Sequence, residues 1–393
     1  MKIRVISFFA ALTLLAFNVN VRADEGPIKI GVLLPYSGVF AGLGKEMDNA
    51  VELALETFDK EAGGRSIEIV REDTETKPNI GLAKAKKLVF EDKVDVVVGI
   101  VSSGVAGAVR DFMHKSEVPL VIANAGNDLL TGENCTPWVI RASFSNSQIN
   151  RVMGPILAKQ GKKKAFLMAF DYAAGHQMMD AFRETFVAAG GEIVGEEYPP
   201  LGETKDFGPY LAKLKAADPD VAFVFFAGGP AIKFVSEYAA FGLQGNIPLA
   251  GPGWLTSALY LAKQGDAAVG TQLSLNYVPS IDTPENNAFQ DAYKAKFERG
   301  ASEFAVQAYD SIHLIIEGLK ATGGKTDDKK ALADALRNVS FVGPRGSLKI
   351  DPKTNNVIQD IYIYEIQKDG DGVKPVIMEV IKDVQDEPNG CTM

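Results

Sequence analysis

The chain has 393 residues, 46% of them hydrophobic and 23% charged, with a formal charge of −9. That acidic balance argues against nucleic acid and anionic membrane surfaces as partners. The two cysteines form no CxxC or other metal-ligand spacing, so no metal is expected.

The chain opens with Lys2 and Arg4 ahead of the apolar run VISFFAALTLLAF and the segment NVNVRA. This reads as a secretory signal peptide, residues 1–23, cleaved after Ala23. The run is short for a membrane span, and no later segment approaches the roughly 20 apolar residues a span needs. No cysteine follows the cleavage point to carry a lipid. An exported, periplasmic protein without membrane insertion is expected. Loss of Lys2, Arg4 and Arg22 takes the formal charge from −9 to −12. The remaining length suggests two domains, at about 100–200 residues each. In an oxidising compartment Cys135 and Cys391 are expected to pair and pin the C-terminal tail.

Strand-like and helical runs then alternate. IKIGVLLPYSG, SIEIVRED, VDVVVGIVSSG and VPLVIANAG read as strands, with helices over 43–60, 78–91 and 105–115. Continuous apolarity marks strands buried on both faces, hence a parallel, doubly wound α/β sheet. The rhythm repeats after about Phe144, with KKAFLMAF, GEIVGEEYPP, DVAFVFFAGG and NIPLAGPG as strands and helices over 148–160, 175–189, 207–216 and 230–241. Two similar lobes follow from that repetition. After VGTQLSLNYV come helices over 285–299, 303–321 and 329–336, then short strands GSLKI and IQDIYIYEI, which complete the two lobes. The GGKT of the turn ATGGKTDD is no P-loop, because the motif's first glycine falls at Leu319 and a helix precedes it.

In open α/β sheets ligands sit beyond the carboxyl ends of the strands. Here those ends read PYSGVFAGLG, GIVSSG, IANAGND, FDYAAG, FFAGG and GPGWLT: small residues interleaved with aromatics, the composition of an apolar pocket with few polar contacts. Asp128 and Asp171 are the only acids in these loops and His176 the only imidazole. His114 and His313 fall inside helices. There is no GxSxG, HExxH or GxGxxG. No catalytic residue or cofactor is therefore expected, and the protein reads as a binder rather than an enzyme.

The order and spacing of IKIGVLLPYSGVFAGLGKEMDNAVELALE, DVVVGIVSSGVAGAV, PLVIANAG, DYAAG and IPLAGPG resemble the leucine/isoleucine/valine-type substrate-binding proteins of ABC transporters, the type I periplasmic binding proteins. The resemblance implies two Rossmann-like lobes joined by three crossovers, the first of residues 28–141 plus 275–344 and the second of 142–274 plus 345–393. It implies a monomer that closes on a ligand and delivers it to a membrane permease, or alternatively reports it to a signalling receptor. The carboxylate-binding loops then correspond to Ser102 and Ser103 with Ala125, Gly126 and Asn127.

Two departures bear on the ligand. Amino-acid binders of the family carry an acid after the GP of the sixth strand, where this chain has Gly253 and Trp254. A buried ammonium without its partner costs several kcal/mol, unless Asp128, Asp171 or Asp310 substitutes. Ala174 stands where relatives often place a tyrosine, while Phe40, Tyr172, Phe226 and Trp254 supply aromatic surface beside Gly228. The set resembles the subgroup that binds benzoate-like carboxylates. The alternative within the same class is a branched-chain or other hydrophobic amino acid.

Overall fold

A computed structural model describes residues 26–393. The expected leader and its cleavage site lie outside the described residues. The chain begins β1 (Ile28–Leu34), α1 (Ala41–Thr57), β2 (Glu61–Ala62), β3 (Arg65–Asp73), α2 (Pro78–Phe90), β4 (Val96–Gly99), α3 (Ser103–Ser116), β5 (Leu120–Ile122) and β6 (Val139–Arg141). These strands form a sheet of order β2-β3-β1-β4-β5-β6, parallel except for the short β2–β3 pair. Alternation sends Ile30, Val32 and Leu34 into the larger core and Leu33 into a second core with α2 and α3. Both faces are thus covered, as a parallel sheet requires.

The chain then crosses to a second sheet through α4 (Asn146–Arg151), α5 (Met153–Lys159), β7 (Lys164–Ala169), α6 (Ala173–Ala188), β8 (Glu192–Glu197), α7 (Gly208–Ala216), β9 (Val221–Phe225), α8 (Gly229–Ala240), β10 (Leu249–Pro252), α9 (Leu261–Gln264) and β11 (Gln272–Leu275). It returns with α10 (Pro284–Phe297), α11 (Glu303–Ala321) and α12 (Lys329–Arg337). Of these, α11 packs on α1 and on β4 and β5 of the first sheet. The chain crosses a third time into β12 (Ser340–Gly343), β13 (Gly346–Ile350), β14 (Val357–Asp369) and β15 (Gly372–Val384). The second sheet runs β12-β13-β14-β11-β10-β9-β7-β8, with β15 paired to β14.

The repeat read from the sequence is present as two wound α/β lobes, but the second sheet is mixed. Strands β7 to β11 are parallel and β12 to β15 antiparallel. The expected helix over 148–160 is two, meeting at Val152. Strands β2, β6, β12 and β15 are not among those expected from the sequence, and β12, allotted above to the first lobe, pairs with β13. In β15 Pro375 and a largely exposed face mask the strand signal; the proline is tolerated because the strand lies at the sheet's edge. Cys135 and Cys391 form a disulfide that ties the C-terminal tail to the first lobe across 256 residues of sequence.

All three crossings converge on Arg345, only 3% exposed. Its Nε donates to Asp310 Oδ2 at 2.5 Å, Nη1 to Ser143 O at 3.1 Å and Gln359 Oε1 at 2.8 Å, and Nη2 to Ala142 O at 2.8 Å. Asn276 joins through Nδ2 to Ser143 O and Gln359 Oε1, both at 3.0 Å. Removing one member of a buried ion pair leaves the other charge unpaired, at about 3–5 kcal/mol. Arg345→Met is expected to lower unfolding free energy by that amount in urea titration; a loss below about 1 kcal/mol would contradict this role.

Candidate functional site

Strand β4 ends at Gly99, and Ile100 then takes φ +66°, a left-handed conformation rare for a β-branched residue. Two backbone bonds hold it: its N–H donates to Leu33 O at 2.8 Å, and its carbonyl accepts from Ala125 N at 2.9 Å. The turn swings the chain so that Ser103, 2% exposed, opens α3 beside the cavity. Ser102 precedes α3 without a side-chain cap, so the first-turn N–H groups retain their partial positive charge.

The second loop, Asn124 to Asn127, follows β5. Buried Arg141 joins two of its carbonyls to that of Phe144: Nη1 donates to Ala125 O at 3.2 Å and Phe144 O at 3.1 Å, and Nη2 to Asn127 O at 2.6 Å. Burial pulls this guanidinium down to about 10, and the charges of Asp128 and Asp386 oppose the fall. With these carbonyls engaged, the loop can turn other groups toward a ligand. A side chain at Gly126 would displace its neighbours, because a Cβ would stand 2.2 Å from Asn146 Oδ1 and 2.5 Å from the Phe144 ring. Both neighbours are packed side chains.

Ser103 is held from two sides. Asn127 Nδ2 donates to its carbonyl at 3.0 Å and Asn146 Nδ2 to its hydroxyl oxygen at 3.3 Å. Opposite lies an aromatic wall. The Phe144 and Trp254 rings are 4.3 Å apart, Trp254 and Phe225 6.1 Å, and Phe225 and Tyr172 6.3 Å. Phe40, Leu43 and Phe304 enter from the first lobe and its returning helices. These groups line one small, partly open cavity at the strand ends. Its walls bear hydroxyl, amide and aromatic groups and no charged side chain.

Of the residues singled out from sequence, Phe40, Ser103, Gly126, Tyr172, Ala174 and Trp254 line this cavity. Six others do not. Ser102 precedes the helix, Ala125 is bonded to Ile100 and Arg141, and Asn127 serves Ser103 and Leu129 N. Phe226 packs into the core against Phe170, Phe207 and Phe234, and its neighbour Phe225 faces the cavity instead. Adjacent residues of a strand point to opposite faces, and with both faces apolar the sequence carries no mark of which is which. Gly228 forms a turn at φ +68° whose N–H donates to Tyr260 Oη at 3.1 Å. A Cβ on Gly253 would meet Tyr364 Oη at 2.2 Å and Leu275, so Tyr364 already fills the space an acid there would need.

The three candidate substitutes for that acid are engaged elsewhere. Asp310 pairs with Arg345, Asp171 with exposed His176 at 2.8 Å, and Asp128 accepts from Ser147 N and Oγ. His176 stacks on Tyr198, away from the lining. His114 meets Thr136 Oγ1 at 2.7 Å, and His313 lies between Phe58 and Phe341. Among the described residues no group of acids, histidines or cysteines is placed to hold a metal ion.

Sequence reasoning missed Leu43, Val101, Asn124, Phe144, Asn146, Met178, Phe225, Ala227 and Phe304. Met178 was findable, one helical turn beyond Ala174. Phe144 and Asn146 lie on a crossover, where no strand-end rule points.

Glu303, at the start of α11, is a buried acid, 2% exposed, next in sequence to cavity-lining Phe304. Its Oε1 has no partner among the described residues, while neighbouring Ser257 and Ala258 favour the ionised carboxyl. Burial pushes it up to about 7, and the nearby Glu46 charge adds to the rise. The fold therefore favours the neutral acid, whose stabilisation is complete at acid pH, below its ordinary range, and is lost as pH rises through about 7. Buried Asp128, raised to about 6 by burial and Asp386, acts in the same direction. The melting temperature is expected to fall from pH 5 to pH 8, and Glu303→Gln to flatten the upper part of that fall. An unchanged profile in the variant would contradict this assignment.

A family model described as periplasmic binding protein matches residues 27–371. A Leu/Ile/Val-binding protein homolog of Brucella melitensis is 33% identical, over 92% of this chain and 94% of its own length. Among solved structures, a solute-binding protein of an ABC transporter from R. palustris in complex with benzoate is 37% identical, with TM-score 0.88 over 94% of this chain and all of that one. Another, from Rhodopseudomonas palustris BisB5 in complex with 3,4-dihydroxybenzoic acid, is 34% identical, with TM-score 0.87 over 92% of this chain and 98% of that one. No helix among the described residues is long and apolar enough to cross a membrane.

Proposed function

Because the chain belongs to the periplasmic binding protein family, as an ABC-type solute-binding protein, we propose that it captures a small aromatic carboxylate of the benzoate or hydroxybenzoate kind and passes it to a membrane permease. In this reading the carboxylate sits at Ser103 and the first turn of α3. The ring lies against Phe144, Trp254, Phe225 and Tyr172. The protein acts as an exported monomer and as a carrier, not a catalyst. The lobe division 28–141 plus 275–344 and 142–274 plus 345–393, moved at its third crossing so that β12 joins the second lobe, belongs to the same proposal.

One observation carries it: a neutral donor cluster faces an aromatic wall in a cavity with no charged side chain. Charge-assisted bonds from hydroxyl and N–H donors hold an anion without a cationic partner. Ring contacts add about 0.5–1.5 kcal/mol each beyond area burial. An amino acid's ammonium, by contrast, meets no carboxylate on the lining. The benzoate complexes of the similar R. palustris proteins support the same ligand class.

A second reading is a hydrophobic amino acid, as the Brucella relative's name indicates for that protein. The observation in its favour is the buried carboxyl of Glu303, one residue from the lining.

Calorimetric titration of ligand-stripped protein with benzoate, 4-hydroxybenzoate and leucine separates the two. Tight binding of an aromatic acid with silent leucine is expected, and the reverse would overturn the ligand assignment. Trp254→Ala should weaken the aromatic ligand at least about tenfold, roughly 1.4 kcal/mol. Unchanged affinity would remove Trp254 from the site.

A further inference from the structure

The Gln177 side chain does not line the cavity, yet it touches both residues that hold Ser103, Asn127 and Asn146. It projects from α6 of the second lobe, one helical turn beyond cavity-lining Ala174. Its Nε2 donates to Asn127 Oδ1 at 3.0 Å, and its Oε1 accepts from Asp128 N at 3.1 Å. Both bonds cross from the second lobe to the first. The same Oε1 accepts from Asn146 Nδ2 at 2.8 Å. Asn127 and Asn146 in turn make the two bonds to Ser103 described above, one to its carbonyl and one to its hydroxyl.

These bonds set orientation as well as attachment. Asn127 Oδ1 also accepts from Leu129 N at 3.1 Å, so this amide presents its nitrogen to the Ser103 carbonyl in only one sense. Asn146 presents Nδ2 to both Gln177 and Ser103, which leaves the serine hydroxyl an acceptor there and frees its own proton for a ligand oxygen. An amide at 177 matches this pattern because it both donates to one asparagine and accepts from the other. A residue that only donates or only accepts satisfies half of it.

We propose that Gln177 is a positioning residue for ligand binding, which fastens the second lobe to the ligand-binding turns of the first and orients Ser103 through Asn127 and Asn146. The bonds to Asn127 and Asp128 are available only when the lobes approach, so Gln177 acts after ligand has docked. Its loss speeds release and leaves capture unchanged. The inference rests on the reading of Ser103 as the carboxylate-binding hydroxyl, and it does not depend on whether the remainder of the ligand is aromatic or aliphatic.

The test is stopped-flow fluorescence, with cavity-lining Trp254 as the reporter, on wild type, Gln177→Leu, Ser103→Ala and the double variant. The probe is whichever of 4-hydroxybenzoate, benzoate and leucine binds the wild type. Silence of all three would overturn the carboxylate reading itself, and a leucine-only response would overturn the aromatic assignment while leaving this test intact. For Gln177→Leu, koff is expected to rise about tenfold with kon within about twofold of wild type. In the Ser103→Ala background the same change should alter koff by less than about twofold, because the effect passes through that hydroxyl. An unchanged koff in Gln177→Leu, or the full increase persisting without Ser103, would overturn the proposal. Should Gln177→Leu fail to fold, Gln177→Glu keeps the acceptor and loses the donor, and an intermediate rise in koff is expected of it. Wild-type koff in that variant would equally overturn the assignment.

Discussion

The arrangement of the two lobes depends on a buried ion pair, Arg345 with Asp310, at the place where the chain passes three times between sheets. An arginine this deeply buried needs its donors filled, and the partners it finds come from each crossing: Ala142 and Ser143 from the first, Asp310 from the helix after the second, Gln359 from the strand after the third. The planar guanidinium suits this because its donors diverge in fixed directions. Three otherwise separate strands of chain are thereby held at one point between the lobes.

That point is wired to the cavity through neutral amides. Asn276 Oδ1 accepts from Gln307 Nε2 at 3.1 Å, and Gln307 Oε1 accepts from the cavity-lining Asn124 at 2.6 Å. A buried polar network of this kind is favourable only when its members are satisfied, since each orphaned group costs its desolvation. The network therefore specifies one arrangement of the binding loop relative to the crossings. Closure of a two-lobed binder is a shift of population toward the form in which the ligand makes more contacts.

The two lobes repeat a local device at corresponding places. In α1, Gly44 lies so near Pro35 O that a Cβ would be 1.9 Å away; in α6, Gly175 lies so near Phe170 O that the figure is 2.0 Å. In both, a glycine in the first turn lets the helix settle back onto the loop leaving its strand. Phe40 and Tyr172, one before each helix, are consequently delivered to the cavity from opposite sides. Aromatic walls thus arise from backbone packing at the strand ends, and the donors arise from the α3 turn that strained Ile100 sets up.

Much of this was legible in the chain itself. The apolar strands, the helices between them, the repetition of the wind and the concentration of small and aromatic residues at the strand ends all follow from local pattern, because periodicity and turn chemistry are local properties. The loops that carry Ser103, Gly126, Tyr172 and Trp254 were visible in that pattern, and the resemblance to the type I family singled these residues out within them. The cavity role of Phe225 rather than Phe226, the entry of Phe144, Asn146 and Phe304, and the space beside Gly253 already taken by Tyr364 were not. Each depends on which face of a doubly buried strand meets the other lobe, or on contacts between residues far apart in sequence. The amino-acid sequence by itself determined the two wound lobes and the chemistry their loops offer; only the tertiary structure decided which of those groups meet, because the cleft is made by three crossings whose geometry no local pattern encodes.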